Sequence, residues 1–190
     1  MRLINLAAVA GLVLGSSLAH AQSGGPTPSR SSESYKSWVV ECTNAAPPPA
    51  EEKTVTKDAK KAPIPAKSTC EAAQIFRNRK TGSEIARVVF ALDPKGGGDI
   101  VAGLRTVADV SFERSPGLTD GDVVIVNGKF TRCVGGACFG LLEIDEKKLA
   151  RLISAAAPEF RFPIASGQQL RIKLEIAGLE DALAVLKARQ

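Results

Sequence analysis

The chain is poor in the residues most catalytic sites are built from. It holds one histidine, one methionine, one tryptophan and one tyrosine, and aromatic residues make up only 5% of its 190 positions. The single histidine, His20, and Met1 both fall in the first twenty residues. If that segment is removed, no histidine remains, which excludes the usual Ser-His-Asp and Cys-His nucleophile arrangements. Paired Cys-x-x-Cys spacing is missing too, so neither a zinc site nor a thioredoxin-like redox pair is expected. Gly96-Gly97-Gly98 is followed by no Gly-Lys-Ser/Thr, and no helix is predicted to open after it, so it is not read as a phosphate cradle. No cofactor is expected. The carboxylates Asp120 and Asp122 around Gly121, or a Ser–Lys pair, would be the material for an alternative reading as a periplasmic enzyme. Asp-Gly-Asp before a strand is ordinarily turn chemistry.

Long apolar runs are equally scarce. Leu3 to Leu18 is the longest, but Gly11, Gly15 and paired serines interrupt it, and it is too short to span a bilayer. With Arg2 before it and Ala19-His20-Ala21 after it, residues 1–21 read as an export signal cleaved before Gln22. No transmembrane segment is predicted beyond it. The formal net charge of +5 is modest and dispersed, compatible with an anionic envelope surface and too weak to argue for nucleic acid.

Four cysteines, Cys42, Cys70, Cys133 and Cys138, lie in what would be an exported chain, which favours two disulfides. Three pairings are open. The turn at Val134-Gly-Gly-Ala137 favours Cys133–Cys138, leaving Cys42–Cys70. In a chain-entropy model the short loop contributes roughly 2 kcal/mol and the long one roughly 3.5 kcal/mol.

Residues 22–34 read as a flexible linker, and 35–190 as a single β-rich domain. Trp38, Val40 and Cys42 share one strand face, with Trp38 as a core anchor rather than a ligand platform. Residues 45–69 hold five of the eleven prolines, six alanines and five lysines, and predict an exposed Lys/Pro/Ala loop closed at its base by the Cys42–Cys70 bridge. A weak, salt-sensitive polyanion contact is the most such a loop would offer. Cys70 to Phe76 and Ser83 to Leu92 predict a hairpin with a basic tip at Arg77, Arg79 and Lys80. Ile100 to Phe112 predicts a strand with a glycine break, and Ser115 to Gly121 a lead into the next strands.

Asp122 to Ile144 predicts three short antiparallel strands. Val123–Val126 would turn at Asn127-Gly128, the dipeptide favoured in a type I′ hairpin turn, and Lys129–Cys133 would turn again at Gly135-Gly136. Asp145 predicts a helix N-cap before Leu149, Leu152, Ile153 and Ala156, with Pro158 ending that helix. Phe160 and Phe162 open an extended piece. Leu170, Ile172, Leu174 and Ile176 alternate with charged residues as an amphipathic strand, and Leu179 to Lys187 predicts a terminal helix. The expected fold is a single-domain antiparallel β-sandwich with two short helices in its C-terminal half.

Trp38-Val-Val-Glu-Cys42, Cys70-Glu-Ala-Ala-Gln74, the Asn127-Gly128 dipeptide, Cys133…Gly136-Ala-Cys138 and Ile176-Ala-Gly-Leu-Glu-Asp-Ala-Leu183, in this order behind an export signal, resemble the invasion-associated locus B family of exported bacterial proteins. The resemblance runs from about Trp38 onward, and the tract between Cys42 and Cys70 is longer than the family usually carries. It implies a periplasmic or outer-membrane-associated protein, linked in pathogens to host-cell entry. It supplies no catalytic residues. A non-enzymatic binding module follows as the expectation, its partner an envelope component or host surface that the sequence does not identify.

Overall fold

The computed structural model describes residues 29–44, 68–107 and 109–189. The expected export signal, most of the linker and nearly all of the Lys/Pro/Ala loop lie outside them. The strands are β1 (Ser29–Tyr35), β2 (Trp38–Asn44), β3 (Ser68–Arg77), β4 (Glu84–Leu92), β5 (Ile100–Val107), β6 (Gly117–Asp120), β7 (Val123–Val134) and β8 (Ala137–Leu142). Helix α1 (Glu146–Ile153), strands β9 (Pro158–Pro163) and β10 (Gln169–Lys173), and helix α2 (Leu179–Ala188) complete the order.

All ten strands form one antiparallel sheet in the order β1-β2-β3-β4-β5-β8-β7-β6-β9-β10. The first five follow one another as hairpins. Alternation explains their faces: Trp38, Val40 and Cys42 are buried while Val39 and Glu41 turn outward, and Ala86, Val88 and Phe90 alternate in the same way. The sheet curls until its two ends face each other. Phe76 on β3 stacks on Phe160 on β9, ring centroids 6.2 Å apart, although five strands separate β3 from β9 in the sheet order. This closure is the two-layer packing a sandwich requires.

The long strand β7 makes the fold possible, and it corrects the expected meander. Val123–Asn127 pairs with β6, and Gly128–Val134 pairs with β8. Asn127-Gly128 is therefore no turn; the strand runs straight through it while exchanging partners. Gly128 is needed there because a Cβ would lie 2.7 Å from the Leu141 carbonyl oxygen and 2.8 Å from Leu142 Cδ2. The hairpin turn is Gly135-Gly136, with φ of 58° and 74°, the pair of positive angles a type I′ turn requires.

Other expectations shift for identifiable reasons. Residues 29–34, expected inside the flexible linker, form most of edge strand β1. Its serine-rich sequence sets only Tyr35 against the core, but it pairs with β2 along its whole length, and Glu33 is held by Arg189 from the end of α2. The lead-in to β7 contains β6, whose buried Gly117, Leu118 and Thr119 fill the space between β7 and β9. Gly103 does not break β5, which ends at Val107. The strand predicted through Ile176 ends at Lys173 as edge strand β10, with Leu170 and Ile172 only half-buried.

Both expected helices form, α1 shorter than its periodicity through Ala156 predicts. The Asp145 carboxylate accepts a 2.7 Å bond from the Lys148 amide at the start of α1, and α1 ends at Ile153, five residues before Pro158 opens β9. On α2, Leu179, Ala182, Leu183 and Leu186 are buried, packing the helix onto β1–β4.

The stretch between β10 and α2 is secured from inside the core. Trp38, fully buried and 5.5 Å from the Phe90 ring, donates from Nε1 to the Glu175 carbonyl at 2.7 Å. The buried Gln74 donates from Nε2 to the same carbonyl at 2.7 Å and accepts from the Glu175 amide at 2.9 Å.

Candidate functional site

The structure gives each chemically suggestive residue of the sequence a structural task. Asp120 accepts a 2.7 Å bond from the Ala157 amide, tying the end of β6 to the start of β9. Asp122 accepts from Arg171 at 2.6 Å and from Arg161 at 3.3 Å, and these two bonds hold its carboxyl below the ordinary aspartate range. Arg161 is buried, donates to Glu159 at 3.0 Å and also donates to the Gly121 carbonyl. The Asp-Gly-Asp pair thus closes a turn and joins an ion-pair cluster. Gly96-Gly97-Gly98 turns the chain from β4 into β5, with strand rather than helix beyond it. Among the described residues, no three His, Cys, Asp or Glu side chains gather as a metal site.

All four cysteines are bonded, Cys42–Cys70 and Cys133–Cys138. Each bridge joins residues directly opposite each other on adjacent strands, β2 with β3 and β7 with β8. Cys133–Cys138 lies immediately behind the Gly135-Gly136 turn and fixes that hairpin's tip.

The surface these elements position is the outer face of the sheet from β2 to the C-terminal half of β7. Register arranges its side chains in rows across the strands. One row runs Val39, Ala73, Val89, Gly103, Leu141, Lys129, each residue opposite the next. Two residues along, a second row runs Ile75, Arg87, Arg105, Phe139, Arg132. A third holds Val107, Ala137 and Val134 beside the hairpin turn.

Charge divides this face in two. At the β2–β4 side, Glu41 and Glu71 stand opposite each other, and Arg87 reaches them at 3.5 Å and 3.4 Å while bonding Glu84 at 3.1 Å. Arg105 adds a 2.7 Å pair to Glu84. Burial raises the Glu71 carboxyl; Arg87 opposes that shift, Glu41 adds to it, and the net result is upward. For Glu84 burial pushes upward as well, but its bonds to Arg87 and Arg105 outweigh it and hold the group low.

At the other side, β5, β8 and residues 128–134 of β7 contain no acidic residue. Arg132 lies over the Phe139 ring, 5.6 Å from its centroid, a cation–π geometry. Around it, Val134 is 59% exposed, Leu141 54% and Val107 47%. This face has no contiguous sequence signature because its residues are scattered over three strands. The signal was present as alternation without acids in Val101-x-Gly103-x-Arg105-x-Val107 and in Phe139-x-Leu141.

Fold and surface together define a disulfide-stapled, mainly antiparallel β protein with an open, amphipathic sheet face. A family model described as invasion associated locus B (IalB) protein matches residues 54–187, and this chain belongs to that family. Among solved structures, the crystal structure of invasion associated protein B from Bartonella henselae is similar, with 15% sequence identity and a TM-score of 0.60, over 83% of this chain and 95% of that one. At that identity the likeness shows the shared fold. No curated protein matches the chain. Among the described residues no helix is long and apolar enough to cross a membrane, which says nothing about β-barrels.

Proposed function

We propose that this protein is a non-enzymatic interaction module of the cell envelope, exported in oxidised form and working in the periplasm or against the outer membrane. The observation that carries the reading is the contrast between two groups of residues. Asp120, Asp122 and the four cysteines are committed to turns, ion pairs and bridges, whereas Arg132, Phe139, Leu141 and Val134 stand on an open sheet face. Exposed apolar side chains beside cations are what a binding surface offers. Family membership supports export and a role of the invasion-associated kind, which in a pathogen would be contact with a host cell.

The test pairs turnover with binding. The oxidised chain lacking residues 1–21 is assayed on ester, peptide and glycoside substrates and titrated onto isolated envelope fractions. Saturable envelope binding without turnover is expected; steady catalysis by pure protein refutes the reading.

A further inference from the structure

We infer that the acid-free half of the outer sheet face, built by β5, β8 and residues 128–134 of β7, docks on an anionic phospholipid surface with the stapled hairpin tip leading. This rests on the envelope-module reading and names its partner.

The row nearest the turn exposes two valines, Val107 and Val134, on either side of the buried Ala137, with Gly135-Gly136 beyond them. The next row back sets the Arg132 guanidinium over the Phe139 ring, with Arg105 on the far side of that ring paired to Glu84. Two residues of strand separate these rows by about 7 Å. An interfacial element buries its apolar part to a depth of about 5–10 Å while its cations stay at the phosphates. The two rows are therefore spaced as the acyl boundary and headgroup layer are. About another 7 Å back, Leu141 and Lys129 form a third pair, whose cation faces the lipid anions from the water side. Neither Arg132 nor Lys129 has a carboxylate partner among the described residues, so their charge is available to a lipid anion.

The acids of the same face, Glu41, Glu71 and Glu84, stand on β2–β4 and are tied up by Arg87 and Arg105, so the cations nearest the tip, Arg132 and Lys129 on β7, lie across β8 and β5 from them. The Cys133–Cys138 bridge holds the tip in shape before it meets the surface, which lowers the ordering cost of docking.

Sedimentation with vesicles tests this, using the oxidised chain without residues 1–21. Vesicles of phosphatidylcholine with phosphatidylglycerol should pull it down, pure phosphatidylcholine much less, and binding should fall between about 0.05 M and about 0.5 M salt. Arg132→Glu with Lys129→Glu should weaken binding at least about tenfold, since each cation near such a surface contributes several-fold. Arg132→Gln with Lys129→Gln gives a gentler loss in the same direction, and Val134→Ser a loss that salt does not mimic. Lys187→Glu, on α2, should bind as the parent does. Near-ultraviolet circular dichroism and thiol counting confirm that each variant is folded and bridged.

Parent-like binding by both Arg132/Lys129 variants, or an equal loss from Lys187→Glu, overturns the docking face. So does binding that follows the lysines of residues 53–67, or a dimer that Val134→Ser abolishes. If envelope fractions still retain the double variants fully, only this face is refuted; catalysis or absent envelope binding by the parent refutes the broader reading.

Discussion

Gln74 and Glu175, 101 residues apart, bond each other reciprocally: the Gln74 amide donates to the Glu175 carbonyl and accepts from its backbone amide. A side-chain amide here imitates a strand, closing the unpaired backbone between β10 and α2 inside the core. Gln74→Leu keeps the volume but strands the Glu175 amide away from water. It should cost about 1–3 kcal/mol in urea unfolding. Gln74→Ala, which also opens a cavity, should cost more.

The two bridges differ in the chain they close. Cys42–Cys70 spans 28 positions and Cys133–Cys138 only 5. Replacing the first pair with alanine should cost roughly 3.5 kcal/mol and the second roughly 2 kcal/mol, if loop entropy dominates. Urea midpoints of the two double variants, read against the parent, measure the order.

Two glycine positions separate a turn from a crossing. Gly128→Ala should destabilise by about 1–3 kcal/mol, because the new methyl meets the Leu141 carbonyl and neither strand can yield freely. Gly135→Asn should be neutral or slightly stabilising, since Asn-Gly suits a type I′ turn and restricts the unfolded chain. Thermal melts of the pair decide. Equal penalties at both positions would mean that β7 does not exchange partners at Asn127-Gly128.

The carboxylates of the outer face predict opposite pH responses. Glu71 titrates above its ordinary 4.5 in the folded state, so its ionisation works against folding. Glu71→Gln should therefore raise stability at neutral pH, by less than about 1 kcal/mol for so exposed a pair. The gain disappears as pH falls below 4.5, where Glu71 is protonated in both states. Glu84 titrates below 4.5, so it stabilises above that pH and loses its contribution as pH falls through its lowered value. Glu84→Gln should destabilise at neutral pH and approach the parent in acid. Urea unfolding from pH 3 to 7 reads both slopes.

What the sequence disclosed was whatever local pattern decides. Alternation placed Trp38, Val40 and Cys42 on the inner face, Asp145 marked the first helix, and the leucines after Gly178 marked the second. Non-local partners escaped it. Asn127-Gly128 carries the strongest local turn signal in its region, yet pairing with β6 on one side and β8 on the other overrides it. β1 is polar up to Tyr35 and forms because β2 offers it an edge and Arg189 a counter-charge. The outer face was illegible for the same reason: Arg132, Phe139, Arg105 and Val107 become neighbours only when register sets β7, β8 and β5 side by side.

The passage of β7 from β6 to β8 has a mechanical consequence. One continuous backbone belongs to both halves of the curled sheet, so neither half can separate at β7 without straining the ladder of the other. Partial opening should begin at the outer strands β1 and β10, which have a neighbour on one side only. Amide exchange should be fastest there and slowest around Asn127-Gly128, where the Gly128 amide bonds the Pro116 carbonyl on one flank and the Asn127 carbonyl accepts from the Glu143 amide on the other. In such a fold the middle strand is an axle, and the two halves fail together.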